Sequence, residues 1–136
     1  MGWLLFQQHQ KDVATQQALV AAQTYMTVLV NIEPEMLDNK WFGLVLEGST
    51  GEFREAFSKT RSQLREGLIS HQASAHGTVI AGAVQSAATS EVVVVMFVDQ
   101  VLTDADNPTP KLDRGRVVMV MDKVDGRWLA SKVRLL

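Results

Sequence analysis

Glu91-Val-Val-Val-Val-Met-Phe-Val-Asp-Gln-Val-Leu102 and, one loop later, Arg116-Val-Val-Met-Val-Met-Asp-Lys-Val124 decide the fold of this chain. Both runs are β-branched and apolar, and the polar connection between them, Asp104-Ala-Asp-Asn-Pro-Thr-Pro110, cannot continue either one. Asp125-Gly126 then makes a tight turn into Arg127-Trp128-Leu129. Strand, loop, strand, turn, strand is the signature of an antiparallel meander. In the first run Val92, Val94, Met96 and Val98 fall on one side and Val93, Val95 and Phe97 on the other. Antiparallel sheets commonly leave one face to water. This one is apolar on both, so it requires cover twice: by its own helices on one face, and by a partner, a ligand or more chain on the other.

The chain before residue 72 has a helical period. Over 3–32, Ala14, Ala18, Ala21, Tyr25, Val28 and Ile32 recur at three- and four-residue spacing. Asn31 offers a stop signal and Pro34 a first-turn residue for a second helix over 34–46, with Leu37, Trp41, Leu44 and Val45 on one face. Gly48-Ser49-Thr50-Gly51 breaks the chain, and Ser49 with Glu52 fits a capping box. A third helix follows to Ser70, striped by Phe53, Phe57, Leu64 and Leu68. From His71 the period changes. The spacing predicts strands over 78–84, 91–103, 114–124 and 127–135, within a sheet that starts near 75, with Gly82 marking a bulge or bend. Helices followed by an antiparallel sheet define an α+β layout, not the alternating order of a nucleotide-binding α/β domain.

Length and composition bound the function. A chain of 136 residues, 46% apolar and 21% charged, is one globular domain with a sizeable core. A net charge of -2 gives no case for nucleic acid. Seven of the basic residues (Lys111, Arg114, Arg116, Lys123, Arg127, Lys132 and Arg134) crowd the last quarter. Charged strand edges that discourage mispairing account for them better than a polyanion site does. The absence of cysteine excludes disulfides, thiolate metal sites and a Cys nucleophile.

Trp3-Leu4-Leu5-Phe6 is an apolar run that gives way at once to Gln7-Gln8-His9-Gln10-Lys11. It is far shorter than the roughly 20 residues of a membrane span, and it lacks the basic leader and cleavage site of a signal peptide. Two readings stand at this point: the amphipathic start of the first helix, or the outer end of a transmembrane helix, for which a boundary Trp is suited.

The ordered series Gly2-Trp3 before a Gln-rich helix, Thr50-Gly51-Glu52-Phe53-Arg54, Gly77-Thr78-Val79, Val94-Val-Met-Phe-Val-Asp-Gln100, Asp113-Arg114-Gly115-Arg116, Asp125-Gly126-Arg127-Trp128-Leu129 and Val133-Arg134-Leu135-Leu136 resembles the Mce-associated membrane proteins. These are accessory proteins of actinobacterial mammalian-cell-entry (Mce) lipid transporters, and the similarity covers residues 2–136. It implies a cone-shaped nuclear transport factor 2-like fold, with three helices on a curved four-stranded sheet. It also implies that residues 1–6 are the stub of a single N-terminal anchor, that residues 7–136 form one extracytoplasmic domain, and that the role is assembly or stability of a lipid or sterol importer. The implied partners are Mce subunits, other Mce-associated proteins, a second copy of the chain or a lipid ligand. The resemblance transfers no catalytic residue, and no cofactor is expected.

Enzymes of that fold place an Asp, His or Tyr in the cone's apolar interior, where burial raises a carboxyl pKa into the working range of a base. Asp99, at the end of a buried strand, is the best candidate here, with Asp38, Tyr25 and His76 behind it. No recognisable spacing ties two such groups together, so the expected catalytic set is empty. His9, His71 and His76 lack metal-ligand spacing, and Asp104-Ala-Asp-Asn107 lacks the Gly and Glu of a Ca²⁺ loop. Tyr25, Trp41, Phe53, Phe57 and Asp99 are the candidates to line a cavity. Val93, Val95, Phe97, Val117, Met119 and Met121 are the candidates for an interface on the uncovered sheet face.

Overall fold

The β-branched runs form the meander that their sequence demands, and the helices pack on one side of it. This computed structural model describes residues 2–33, 40–105 and 109–136. Pro34 and Leu37 as parts of the second helix, Asp38, and Asp106-Asn107 of the polar loop lie outside the described residues, as do the side chains of Trp3, Leu4 and Phe6. Helices α1 (Gly2–Leu29), α2 (Lys40–Glu47) and α3 (Gly51–Ser70) precede strands β1 (Ser74–Ala87), β2 (Glu91–Thr103), β3 (Lys111–Val124) and β4 (Arg127–Leu135). The sheet is antiparallel throughout, in the order β1-β2-β3-β4. Three helices on an open four-stranded antiparallel sheet make this an α+β fold, with the element order expected of a nuclear transport factor 2-like cone.

The core sits between α1 and the inner face of β2 and β3. Val92 pairs with Met121, Val94 with Met119 and Met96 with Val117. All six are buried, at 0–1% exposure. Ala14, Ala18 and Ala22 of α1 are buried above the sheet, and their small side chains let the helix axis come close. The sheet answers with glycines. A Cβ on Gly77 would stand 2.6 Å from Val30 Cγ2, and one on Gly82 would stand 2.7 Å from Gln23 Nε2. Gly82 is therefore a point of close helix approach. The two bulges of β1 fall on either side of it, between Val79 and Ala81 and between Val84 and Ser86, and Gly82 itself pairs normally with Met96.

Other local expectations are corrected in the same way. The first helix ends at Leu29, and Ile32 leaves it to bridge Ala75. On α2 it is Phe42 that is fully buried beside Trp41 and Val45, while Leu44 faces out. Ser49 does not cap α3. The N-cap is Thr50, with no side-chain cap bond. Ser49 is instead wholly buried, its hydroxyl donating to the Leu46 carbonyl at 2.9 Å. The reason lies in the backbone: Thr50 N donates to Ala130 O at 2.8 Å and Ala130 N to Gly48 O at 2.9 Å. Residues 48–50 thus add a short parallel rung to β4. β3 starts at Lys111, three residues before its expected start. Asp125 and Gly126, with φ of 49° and 80°, form the turn into β4 that their sequence announces.

Gly48 carries a sharp test of this packing. A Cβ there would lie 2.4 Å from two carbons of the Tyr25 ring, whereas nothing lies within 4 Å of a Cβ on helical Gly43. Gly48→Ala should destabilise by about 1–3 kcal/mol, and Gly43→Ala should stabilise by about 0.5–1 kcal/mol through its helix propensity. Urea unfolding of the two variants, read side by side, measures both signs.

Candidate interaction face

Alternation along each strand sorts the candidate residues onto two faces. The four aromatic candidates meet on the inner one. Tyr25 and Phe53 contact edge to face with ring centroids 6.2 Å apart, Trp41 and Phe57 at 6.0 Å, and Phe53 stacks on Phe57 at 6.4 Å. Phe42, which the sequence reading did not select, joins Trp41 at 5.1 Å and Phe57 at 5.9 Å. Their polar atoms are turned to backbone: Trp41 Nε1 donates to Val28 O at 2.9 Å and Tyr25 Oη to Val45 O at 2.6 Å. These rings fill the space between helices and sheet with one another. Burial pushes the Tyr25 phenol well above its ordinary range, and the Ser49 hydroxyl offsets this only in part.

Asp99 does not join them. Val98 takes the inward position, so Asp99 points to the outer face, where it faces Arg114 across the ladder in a partly exposed pair at 3.7 Å. His76 is exposed as well. Among the described residues the structure therefore brings Tyr25 inside and leaves Asp99 and His76 outside.

The outer face holds Val93, Val95 and Phe97 of β2, as expected. It does not hold Val117, Met119 or Met121. Those three are buried under the helices, and their neighbours Val118 and Val120 take the outer positions opposite Val95 and Val93. The two phases of β3 are nearly equal in hydrophobicity, and the longer Met side chains fill the inner volume. A signal was present in the sequence: Arg114 and Arg116, exposed here, share their parity with Val118 and Val120. Ala81 and Ala83 of β1 extend the apolar strip past Phe97 and Val95. On the far side, Arg134 stands opposite Val118 and Lys132 opposite Val120. Phe97, 50% exposed, borders a shallow groove of about 570 Å³ lined also by Ile80, Arg114, Arg116 and Leu136. The result is an apolar strip with a basic flank.

No family model matches the chain. It is 32% identical over 126 residues to the outer membrane protein Rv1973 of Mycobacterium tuberculosis strain H37Rv, a match that covers 88% of this chain and 74% of that protein. The chain belongs to the family of that protein. It is also 29% identical over 137 residues to protein Rv1362c of the same strain, covering 96% of this chain but only 62% of that longer relative. Among solved structures it is similar to an IcmL-like type IV secretion system protein of Legionella pneumophila, with a TM-score of 0.71, 11% identity, and coverage of 89% of this chain and 91% of that one. The periplasmic domain of DotI gives a TM-score of 0.69 at 11% identity, over 87% of this chain and 91% of that one. At such identity these two likenesses establish the fold.

Two expectations follow for the titratable groups. Asp99→Asn removes half of a solvent-exposed pair, a kind worth no more than about 1 kcal/mol, so the unfolding midpoint should move little. Tyr25→Phe should cost about 0.5–1.5 kcal/mol at neutral pH through loss of the bond to Val45. The unfolded phenol ionises near pH 10 and the folded one only well above that. Protons are therefore lost first from the unfolded state, and wild-type stability should fall as pH rises past 10. The phenyl ring of the variant has nothing to ionise, so the stability gap between the two proteins should narrow in chemical denaturation at alkaline pH.

Proposed function

We propose that this chain is the extracytoplasmic part of a membrane-anchored, non-catalytic accessory protein that supports an Mce-type lipid importer through protein contacts. In this reading residues 1–6 are the end of the anchor and residues 7–136 the working domain. α1 runs without a break from Gly2 to Leu29, so an anchor ending near Gly2-Trp3 would feed directly into the domain. Among the described residues no helix is long and apolar enough to cross a membrane. The family relative named an outer membrane protein and the structural likeness to a periplasmic domain support a place outside the cytoplasm. The ordered residue series that resembles the Mce-associated proteins is what supports a lipid importer as the partner.

One observation carries the reading. The outer strip of Val93, Val95, Phe97, Val118 and Val120 has no cover among the described residues. Each of these side chains, already partly shielded by its neighbours, stands to gain roughly 1 kcal/mol on burial. Together they can sustain a specific contact once association costs are subtracted, helped by anchoring in a shared membrane. The alternative, a ligand-binding or isomerase-like cone, loses its best base, because Asp99 lies on the outer face and aromatic rings occupy the interior.

Val95→Glu combined with Val118→Lys, an opposite-charge pair across the ladder, in the anchored protein should abolish co-purification with Mce subunits from native membranes. The far-UV spectrum and unfolding midpoint of the soluble chain should stay close to wild type, because both positions face outward. Undiminished co-purification of the double variant would contradict the reading.

A further inference from the structure

The two edges of the sheet are treated differently. β4 is covered by the rung at Gly48–Thr50 and carries Arg127, Lys132 and Arg134, charges of the kind that discourage edge-to-edge pairing. β1 has neither protection over most of its length. Its fourteen residues, Ser74–Ala87, include no Asp, Glu, Lys, Arg or Pro. Among the described residues only its start is occupied. Ile32 exchanges two backbone hydrogen bonds of 2.9 Å with Ala75. The Asn31 side chain imitates one more rung on Gly77, with Nδ2 donating to Gly77 O at 3.1 Å and Gly77 N donating to Oδ1 at 3.2 Å.

Ala75 and Gly77 show which residues turn their backbone groups away from β2. The same phase continues at Val79, then at Gly82 and Val84, and after the second bulge at Ala87, each opposite an inward residue of β2. Among the described residues these outward groups meet no partner.

We propose that this free edge, Val79 to Ala87, pairs antiparallel with the same edge of a second copy of the chain, joining two four-stranded sheets into one. A twofold axis at Ala83 sets Gly82 against Val84 and Val79 against Ala87. Every outward-turned group in the segment then faces another outward-turned group. The bulged doublets Ile80-Ala81 and Gln85-Ser86 also fall opposite each other, so the irregularities that would spoil pairing with a regular strand match in this register. The side chains near the axis, Ala81, Ala83 and Ser86, are small and uncharged, and they bring no repulsion to the contact. The outer strips of the two copies become neighbours across the seam, with Ile80, 59% exposed in one copy, next to it. This pairing uses the edge of the sheet and stands independently of the contacts proposed for its outer face.

The chain contains no cysteine, so single cysteines report the pairing cleanly. In the register above, Ala83 meets its own symmetry mate in a close, non-hydrogen-bonded pair whose Cβ separation is near what a disulfide spans. Under mild oxidation Ala83→Cys should convert to a covalent dimer far faster than Lys132→Cys on the protected edge. Ala83→Lys, a change at an exposed position, should weaken the sedimentation dimer by about tenfold or more through like-charge apposition while its circular dichroism stays wild type. A wild-type chain that sediments as a monomer at every concentration overturns the proposal. So does crosslinking of Ala83→Cys no faster than Lys132→Cys, or a dimer indifferent to a folded Ala83→Lys.

Discussion

The pairing of Val92, Val94 and Met96 with Met121, Met119 and Val117 is the interaction on which the other features depend. It fixes which face of a doubly apolar sheet is the inside. Once those six side chains form the floor of the core, α1 crosses above it with the small side chains of Ala14, Ala18 and Ala22 buried, Gly82 lying beside Leu19 and Gln23 of the helix and Gly77 beside Val30 just past its end. The aromatic residues of α2 and α3 then close the remaining opening. A one-residue slip of β3 would reverse every side chain on it, exposing three large residues and burying Arg114 and Arg116. The longer Met side chains and the two arginines both select the observed phase.

That phase is also where reading the sequence fell short. The strands, their order and the third helix were legible, because long β-branched runs, an Asp-Gly turn and a striped helix are strong local signals. The inside and outside of β3 were not. The polar loop from Asp104 to Pro110 is too long to set the β2–β3 register by counting. Counting back from the two-residue turn at Asp125-Gly126 misleads, because it would place Met119 beside Lys132. The structure inserts Ser131 as an extra residue on β4, so Lys132 pairs with Val120 and Val133 with Met119. Ser131 is buried, and its hydroxyl donates to Val120 O at 3.3 Å. Leu129, Ala130 and Ser131 are buried in succession around this irregularity, which no local signal in the sequence announces. Asp99, by contrast, was legible: it shares the parity of Val93, Val95 and Phe97, the residues expected on the uncovered face, and its pairing with Arg114 places it there.

The Ser49 rung shows a second limit of local reading. Gly48-Ser49-Thr50-Gly51 carries every sign of a helix start, and α3 does start there. What local rules cannot convey is that the same residues serve a strand far away in sequence. Gly48 has no side chain because the Tyr25 ring occupies the space. Ser49 is buried because its neighbours bond to Ala130. The breaker and the edge protection are one segment, and the tertiary role overrides the capping box.

Among the described residues these constraints leave two surfaces without cover and of different character, the outer strip of β2 and β3 and the open edge of β1. The strip is apolar with a basic flank, so its burial energy is non-directional, while Arg114, Arg116, Lys132 and Arg134 set which surfaces it tolerates. The edge is uncharged and offers backbone hydrogen bonds, which are directional and fix register. The contacts proposed for the two are complementary, the face contributing burial energy and the edge orientation. An enzyme of this fold would instead need converging ionisable groups inside the cone. There the described interior has aromatic rings and a phenol held neutral by burial. Among the described residues, the apolar strip and the open edge are the features that support the proposed contact role.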